Sequence, residues 1–203
     1  MSLVLASGSP RRRQLLATAG IPLRAVRPPE IPEVRAHGES PVVYARRLAA
    51  EKAGAVDAPG CWVLGADTVV HIGDAIYEKP LDDEDATRIL GELSGRWHRV
   101  TTAWCLRWGG GGPPPLGRAR RLGHVTSRVR FRALSPETIA HYVASGEGKD
   151  KAGSYGIQER GVMLIDRVVG SFTCVVGLPM TPVLDALAAV GVLPEFPRPE
   201  TRA

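Results

Sequence analysis

Little in this chain points to metal clusters, disulfides or membranes. Only three cysteines occur in 203 residues, Cys61, Cys105 and Cys174, and no two stand in C-x-x-C spacing. An odd, scattered set excludes a disulfide framework and a zinc site. Reduced thiols in the cytoplasm are the plain expectation. The five histidines form no H-x-x-x-H pair, so any metal is expected to be a hard cation held by carboxylates. No apolar run is long enough to cross a bilayer. The first apolar stretch is too short for a secretory leader, and its arginines follow it instead of preceding it. There is no internal repeat and no heptad pattern. Charge excess is modest too: 26 Lys and Arg against 21 Asp and Glu leave +5. That balance favours acidic ligands, nucleotides or nucleic acid, without choosing between them.

Glycine and proline, by contrast, are plentiful (23 and 17), and they punctuate the chain clearly. Residues 3–6 read as a buried strand, 10–19 as a helix closed by Gly20, and 21–26 as a second strand. A proline-containing loop with Glu30, Glu33 and Glu39 leads into a helix over 42–56, on which Arg46 and Arg47 face water or a ligand. Residues 61–66 form a third apolar run, followed by a hairpin at 72–75 and a return strand at 76–78. A helix is predicted over 82–93, a strand over 98–106 and an alternating strand over 125–133. Four consecutive glycines and three prolines within 109–117 mark a flexible hairpin tip. Ser135-Pro136-Glu137 caps a helix to Ala144; a strand follows at 162–169 and a last helix at 181–190. Residues 1–193 are expected to form one catalytic domain, and 194–203 a disordered tail. Strands alternating with helices argue an α/β fold, and the hairpins argue a mixed sheet.

The densest chemistry comes first. The run Ala6-Ser7-Gly8-Ser9-Pro10-Arg11-Arg12-Arg13 turns a strand into a helix with proline at its first position. Free N–H groups, two hydroxyls and guanidinium forks suit a phosphate chain. Three arginines at a helix N-terminus oppose the macrodipole unless an anion offsets them. The plain alternative is a capped helix with a solvated basic turn.

Other candidates carry two readings each. Asp67, at the expected end of the third apolar run, suits Mg²⁺ or a proton taken from water; it equally suits capping a turn. Lys79 is a point charge for phosphate or a solvated strand end. Lys52 wants an anionic partner if buried, and is otherwise an ordinary helix charge. Gln158, in the glycine-rich stretch 150–158, has the donors and acceptor to read a base edge, or lies in a surface turn. Arg128, Arg130 and Arg132 share a face with no interleaved aromatics, so a solvated sheet face is favoured over a nucleic-acid strip. His98 is read as satisfying a local hydrogen bond.

Taken together and in order, these segments resemble one family. The stretches are LASGSPRRRQLL at 5–16, YARRLAAEKA at 44–53, GADTVV at 65–70, EKP at 78–80, LSGRWHRVTTA at 93–103, SGEGKDKAGSYGIQ at 145–158 and GSFTCVVGLPM at 170–180. The family is that of the Maf-type nucleoside triphosphate pyrophosphatases, also described as septum-formation inhibitors. The resemblance implies an elongated mixed sheet flanked by helices, with two lobes around a nucleotide cleft, similar to inosine triphosphate pyrophosphatases. It also implies a homodimer and hydrolysis to monophosphate and pyrophosphate with Mg²⁺ or Mn²⁺. It places the proton acceptor on Asp67, phosphate contacts on Ser7, Arg12, Lys52 and Lys79, and a metal-assisting acid on Glu33.

Base preference within the family tracks three positions, which here hold Arg11, Thr68 and Gln158. That combination resembles the dTTP/UTP branch. The 7-methyl-GTP branch carries Trp, Gln and Glu instead. A neutral amide matches the acceptor–donor edge of uracil or thymine, whereas a glutamate suits a cationic methylated guanine. The Gly-Pro insertion and the arginines at 118–121 depart from the family pattern outside its motifs. Two rivals remain: a 7-methyl-GTP pyrophosphatase, and a non-catalytic nucleic-acid-binding or division-regulating protein.

Overall fold

The protein is described by a computed structural model covering residues 1–193; the expected tail, 194–203, lies outside the described residues. Strands β1 (Ser2–Ala6), β2 (Leu23–Val26), β3 (Cys61–Ile72), β4 (Ala75–Tyr77), β5 (Trp97–Trp108), β6 (Arg120–Phe131) and β7 (Ile165–Val169) form one mixed sheet. Its order is β2-β1-β3-β5-β6-β7, with β4 paired to β3. Only β1 pairs in parallel, with β2 on one side and β3 on the other. The remaining pairings are antiparallel; β3–β4 and β5–β6 are the predicted hairpins, while β3–β5 and β6–β7 pair across helical connections. The Gly-Pro stretch at 109–117 lies in the β5–β6 connection, as expected.

Helices α1 (Pro10–Thr18), α2 (Pro41–Gly54), α3 (Asp83–Leu93), α4 (Pro136–Ala144), α5 (Phe172–Val176) and α6 (Met180–Ala188) cover the sheet. Alternation along the strands assigns each side chain a face. Leu3, Leu5, Trp62, Leu64 and Leu106 pack with Leu16 of α1 and with Val183 and Leu187 of α6. On the other face Val4, Val63 and Cys105 meet Ala45, Leu48 and Ala49 of α2. A third cluster joins Ile89, Leu90 and Leu93 of α3 to Val100, Val129 and Phe131, under Ile139 and Tyr142 of α4. Each large side chain so buried contributes about 1.5–3 kcal/mol.

The helix starts follow the expected chemistry. Ser40, Asp82 and Ser135 each accept a backbone N–H from three residues ahead. Ser9 caps α1 by position only, with Pro10 following it and no acid in the first turn. Three expectations need correction. Asp67 is not at a strand end; it is the seventh residue of a 12-residue strand. The segment expected as strand from 162 begins as a 3₁₀ turn, Arg160–Leu164, and becomes strand only at Ile165. The short helix α5 was not expected; Ser171 caps it by accepting the Cys174 N–H. In both missed places the apolar residues are too few to establish a period. No helix among the described residues is long and apolar enough to cross a membrane.

Candidate active site

One edge of β3 changes partner, and the site forms at the gap. β1 pairs with Cys61–Gly65 and then ends at Ala6. β4 takes the same edge only from Val70 to Ile72. Between them, Ala66–Val69 have no neighbour on that side, while β5 runs unbroken along the other. Such a divergence of neighbours opens a crevice. The resulting cleft holds about 660 Å³ and is lined by Ser7, Arg11, Arg12, Glu33, Lys52, Asp67, Thr68, Lys79 and Gln158. All nine residues singled out from the sequence therefore meet in one cavity.

Asp67 and Thr68 are adjacent, so they point to opposite faces of the sheet. Asp67 faces α2. There the buried Lys52 lies with its Nζ 2.7 Å from Asp67 Oδ1 and 2.7 Å from Glu33 Oε1. Gly65 makes this approach possible: a Cβ there would lie 2.5 Å from the Ala49 carbonyl and 2.6 Å from the Ala53 nitrogen. α2 rests directly on β3, which brings Lys52 within reach of a carboxylate two residues further along. Lys52 thus has the anionic partner that its burial requires.

Thr68 faces α1. Arg12 spends its whole fork here: Nε donates to the Gly177 carbonyl (2.8 Å), one Nη to Ser7 Oγ (2.9 Å) and the other to Thr68 Oγ1 (3.1 Å). All three acceptors are neutral, so the guanidinium is held rigidly without being neutralised. Burial lowers its affinity for the proton, against the pull of the Asp67 charge, yet an arginine stays charged. The Thr68 hydroxyl also meets Thr102, which donates to the Cys174 carbonyl at 2.7 Å. Arg11 turns elsewhere and pairs with Asp150 at 3.0 Å, while Arg13 is exposed and lines no part of the cleft. The three arginines thus have three different environments. Lys79 and Gln158 are exposed at the rim.

Tyr44, which the sequence did not single out, and Arg47, which was expected to face water or a ligand and instead binds the protein, do much of the holding. The Tyr44 hydroxyl donates to the Glu33 carbonyl at 2.8 Å. Burial, helped by the charges of Glu78, Asp67 and Glu33, pushes it up to about 12, so it stays protonated. Arg47 reaches both Glu39 oxygens at 2.8 Å and the Val34 carbonyl at 2.8 Å, and pairs with Glu51. It faces the loop that carries Glu33, and its hydrogen bonds hold Glu39 below the usual carboxylate range. A tyrosine on an apolar helix stripe was the one available signal, since its polar tip needs a partner when buried. His98 makes a hydrogen bond, but not the local one expected: Nε2 lies 2.8 Å from the hydroxyl of the distant Tyr155. Arg130 pairs loosely with Asp166 at 3.6 Å, and Arg128 covers the Trp97 ring, as a solvated sheet face would.

No group of three His, Cys, Asp or Glu clusters for a metal among the described residues. What the cleft offers is two carboxylates on one ammonium. All three cysteines are buried and free.

Known proteins match nearly the whole chain in sequence. A family model described as Maf-like protein matches residues 2–190. A protein of Aquifex aeolicus named dTTP/UTP pyrophosphatase is 42% identical over 195 residues, covering 95% of this chain and 97% of its own length. One of Cereibacter sphaeroides with the same name is 45% identical, covering 95% and 96%. Among solved structures, a HAM1 protein from Coxiella burnetii overlaps with a TM-score of 0.43 at 18% identity, covering 81% of this chain and 91% of that one. So loose an overlap says nothing about the site. The sequence matches are of another order: the family model spans residues 2–190, the range that holds the whole cleft, and the chain belongs to the Maf-like protein family.

Proposed function

We propose that this chain is a nucleoside triphosphate pyrophosphatase that hydrolyses dTTP and UTP to the monophosphate and pyrophosphate. The observation that carries the reading is the buried Asp67–Lys52 pair, joined by the more exposed Glu33 and set in a cleft with Arg11, Arg12 and Lys79 and with an uncommitted amide, Gln158, at its rim. Relatives named dTTP/UTP pyrophosphatase, 42% and 45% identical over 95% of the chain, support it.

The reaction forms a bond from a water oxygen to the α-phosphorus and breaks the bond from that phosphorus to the bridging oxygen. The departing group is pyrophosphate. Asp67 accepts the proton of the attacking water, or orients that water. Arg12, Lys52 and Lys79 take up the charge that grows on the leaving group. Ser7 offers its hydroxyl to the phosphates. Fixed charges and positioning are most of what phosphoryl-type transfer asks of a protein. Arg12 suits this work because its neutral acceptors leave its charge available. Arg11, Thr68 and Gln158 select the base, with Thr68 acting through its bond to Arg12 as well.

A divalent cation belongs to the proposal. Asp67 and Glu33 are hard oxygen donors that meet at the Lys52 ammonium through one oxygen each, which leaves each a second carboxylate oxygen, and Mg²⁺ commonly takes one or two carboxylates with the rest from phosphate and water. Bound there, Mg²⁺ or Mn²⁺ would supply charge stabilisation on the phosphate oxygens. The homodimer implied by the family resemblance is proposed with it, and sedimentation velocity tests that assembly. The buried thiols suit a reducing, cytoplasmic setting.

Pyrophosphate release from dTTP, UTP, CTP, 5-methyl-UTP and 7-methyl-GTP, with Mg²⁺ and with Mn²⁺, tests the reading. Fastest release from dTTP and UTP is expected. A preference for 7-methyl-GTP would overturn the base assignment. Salt-dependent duplex binding with no release from any nucleotide would overturn the enzyme.

A further inference from the structure

Gln158 sits at the tip of a narrow-necked loop, and the neck is closed by side chains that have been given no role so far. A Cβ on Gly161 would lie 1.9 Å from the Gly156 carbonyl oxygen, so the two backbones touch on either side of Gln158. Glu147 lies at this neck. Its Oε2 accepts the Arg160 N–H at 2.8 Å and its Oε1 the Gly161 N–H at 3.1 Å. On the near strand of the neck, the Gly156 N–H donates to the Tyr142 hydroxyl at 3.1 Å. One residue earlier, the Tyr155 hydroxyl is anchored to His98. Ser154, before that, is buried with φ of 59°, an uncommon state for a side-chain-bearing residue.

The same short segment also reaches Arg11. The Glu147 carbonyl accepts from Lys151 Nζ, which donates to Asp150 Oδ1 at 2.7 Å. Asp150 Oδ2 in turn holds Arg11 at 3.0 Å. Residues 147–151 therefore connect two groups assigned to the base, Arg11 and Gln158, across the cleft. The Gln158 side chain makes no hydrogen bond of its own among the described residues, so its position depends on the loop that bears it. Two charge-assisted bonds from one carboxylate to consecutive backbone N–H groups are a strong clamp for such a loop.

We propose that Glu147 is a positioning residue for base recognition: its carboxylate, bonded to the Arg160 and Gly161 amides, sets where Gln158 meets the nucleobase. This rests on the pyrimidine-nucleotide reading above. Glu147 does not touch the phosphates in that reading, so its loss acts at one end of the substrate only.

The test compares wild type, Glu147→Ala and Glu147→Gln by steady-state kinetics on dTTP and CTP, with inorganic pyrophosphate as a base-free inhibitor. In Glu147→Ala the KM for dTTP rises about tenfold, kcat changes less than about threefold, and the preference for dTTP over CTP falls about tenfold. The pyrophosphate inhibition constant stays at the wild-type value. Glu147→Gln, which keeps one acceptor, lies between the two. Should Glu147→Ala fail to fold, Tyr142→Phe removes the opposite tie of the neck and carries the same expectation at smaller size. Equal rises in KM for dTTP and CTP, a pyrophosphate constant that rises with them, or no change at all would each overturn the proposal. A wild-type protein that releases no pyrophosphate from dTTP or UTP would overturn the functional reading first, and this inference with it.

Discussion

The two ends of the cleft are built differently. At the phosphate end, Ser7 and Lys79 stand just beyond β1 and β4, and the other side chains come from regular elements: Arg12 from α1, Lys52 from α2 and Asp67 from β3, with Thr68 beside it bonded to Arg12. They are closely packed and mutually bonded, and most carry charge. At the base end, Gln158 lies in irregular chain between two 3₁₀ turns, and it is held through backbone amides bonded to Glu147 and Tyr142. Charge that must stand at fixed distances from a phosphate chain is set on elements that barely deform. Of the three groups assigned to the base, the amide of Gln158 is presented by a short braced loop, which a few substitutions can redirect.

Asp67→Asn probes this contrast most severely. It preserves shape while removing the proton acceptor, so turnover of dTTP should fall on the order of 10³-fold with the fold retained, and the melting temperature should drop because buried Lys52 keeps only the more exposed Glu33 as partner. Near-normal release of pyrophosphate would remove Asp67 from the chemistry. Gly65→Ala tests the rigidity of the phosphate end instead. The new Cβ would press on the Ala49 carbonyl and the Ala53 nitrogen of α2, at a cost of about 1–3 kcal/mol in a urea titration. It should also depress kcat by moving Lys52 off Asp67. Wild-type kcat in that variant would show that the helix–strand contact does not set the ammonium.

The base end has its own lever. Burial, reinforced by the nearby His71 charge, pushes the His98 imidazole down from 6.5 to about 4. The folded protein thus favours neutral His98, while the unfolded chain takes up a proton below 6.5. Stability from this group is complete above that pH and is lost as pH falls toward 4. At pH 5 the loss is about 2 kcal/mol relative to pH 7. Calorimetry on wild type and His98→Gln checks this, since the variant should lose that slope. An equally steep acid slope in the variant would assign it to other groups. The smallest effect is expected outside both ends. Arg130 pairs with Asp166 only at 3.6 Å, with both side chains about half exposed. Arg130→Ala should shift stability by less than about 0.5 kcal/mol and leave KM unchanged. A clear rise in KM would give that sheet face a part in substrate binding.

Much of the site was legible before any coordinates. Pro10 at a helix start, a lysine on a small-residue helix stripe and an aspartate after an apolar run each have a local physical cause, and local causes show in a single sequence. The bracing was not legible. Tyr44 acts on a loop 11 residues earlier, Arg12 reaches Gly177, and His98 reaches Tyr155 across 57 positions. No period or spacing encodes such pairings. Asp67 was misplaced for a related reason: Val69 and Val70 continue the strand, but only pairing with β5 shows that it never stops.

By itself, the sequence determined which chemistry the chain could hold: arginines at a proline-led helix start, a carboxylate and a lysine on neighbouring elements, and an amide in glycine-rich chain. It did so because residue type and short-range order are enough to specify charge, hydrogen-bonding capacity and helix or strand preference. Only the tertiary structure decided that β1 ends where β4 has not yet begun, leaving four residues of β3 open to the cleft. It also decided that Asp67 and Thr68 serve opposite faces of one sheet, each matched to a different cation. Those outcomes depend on which strands pair and where each one stops, and pairing is a relation between distant segments that no segment carries alone.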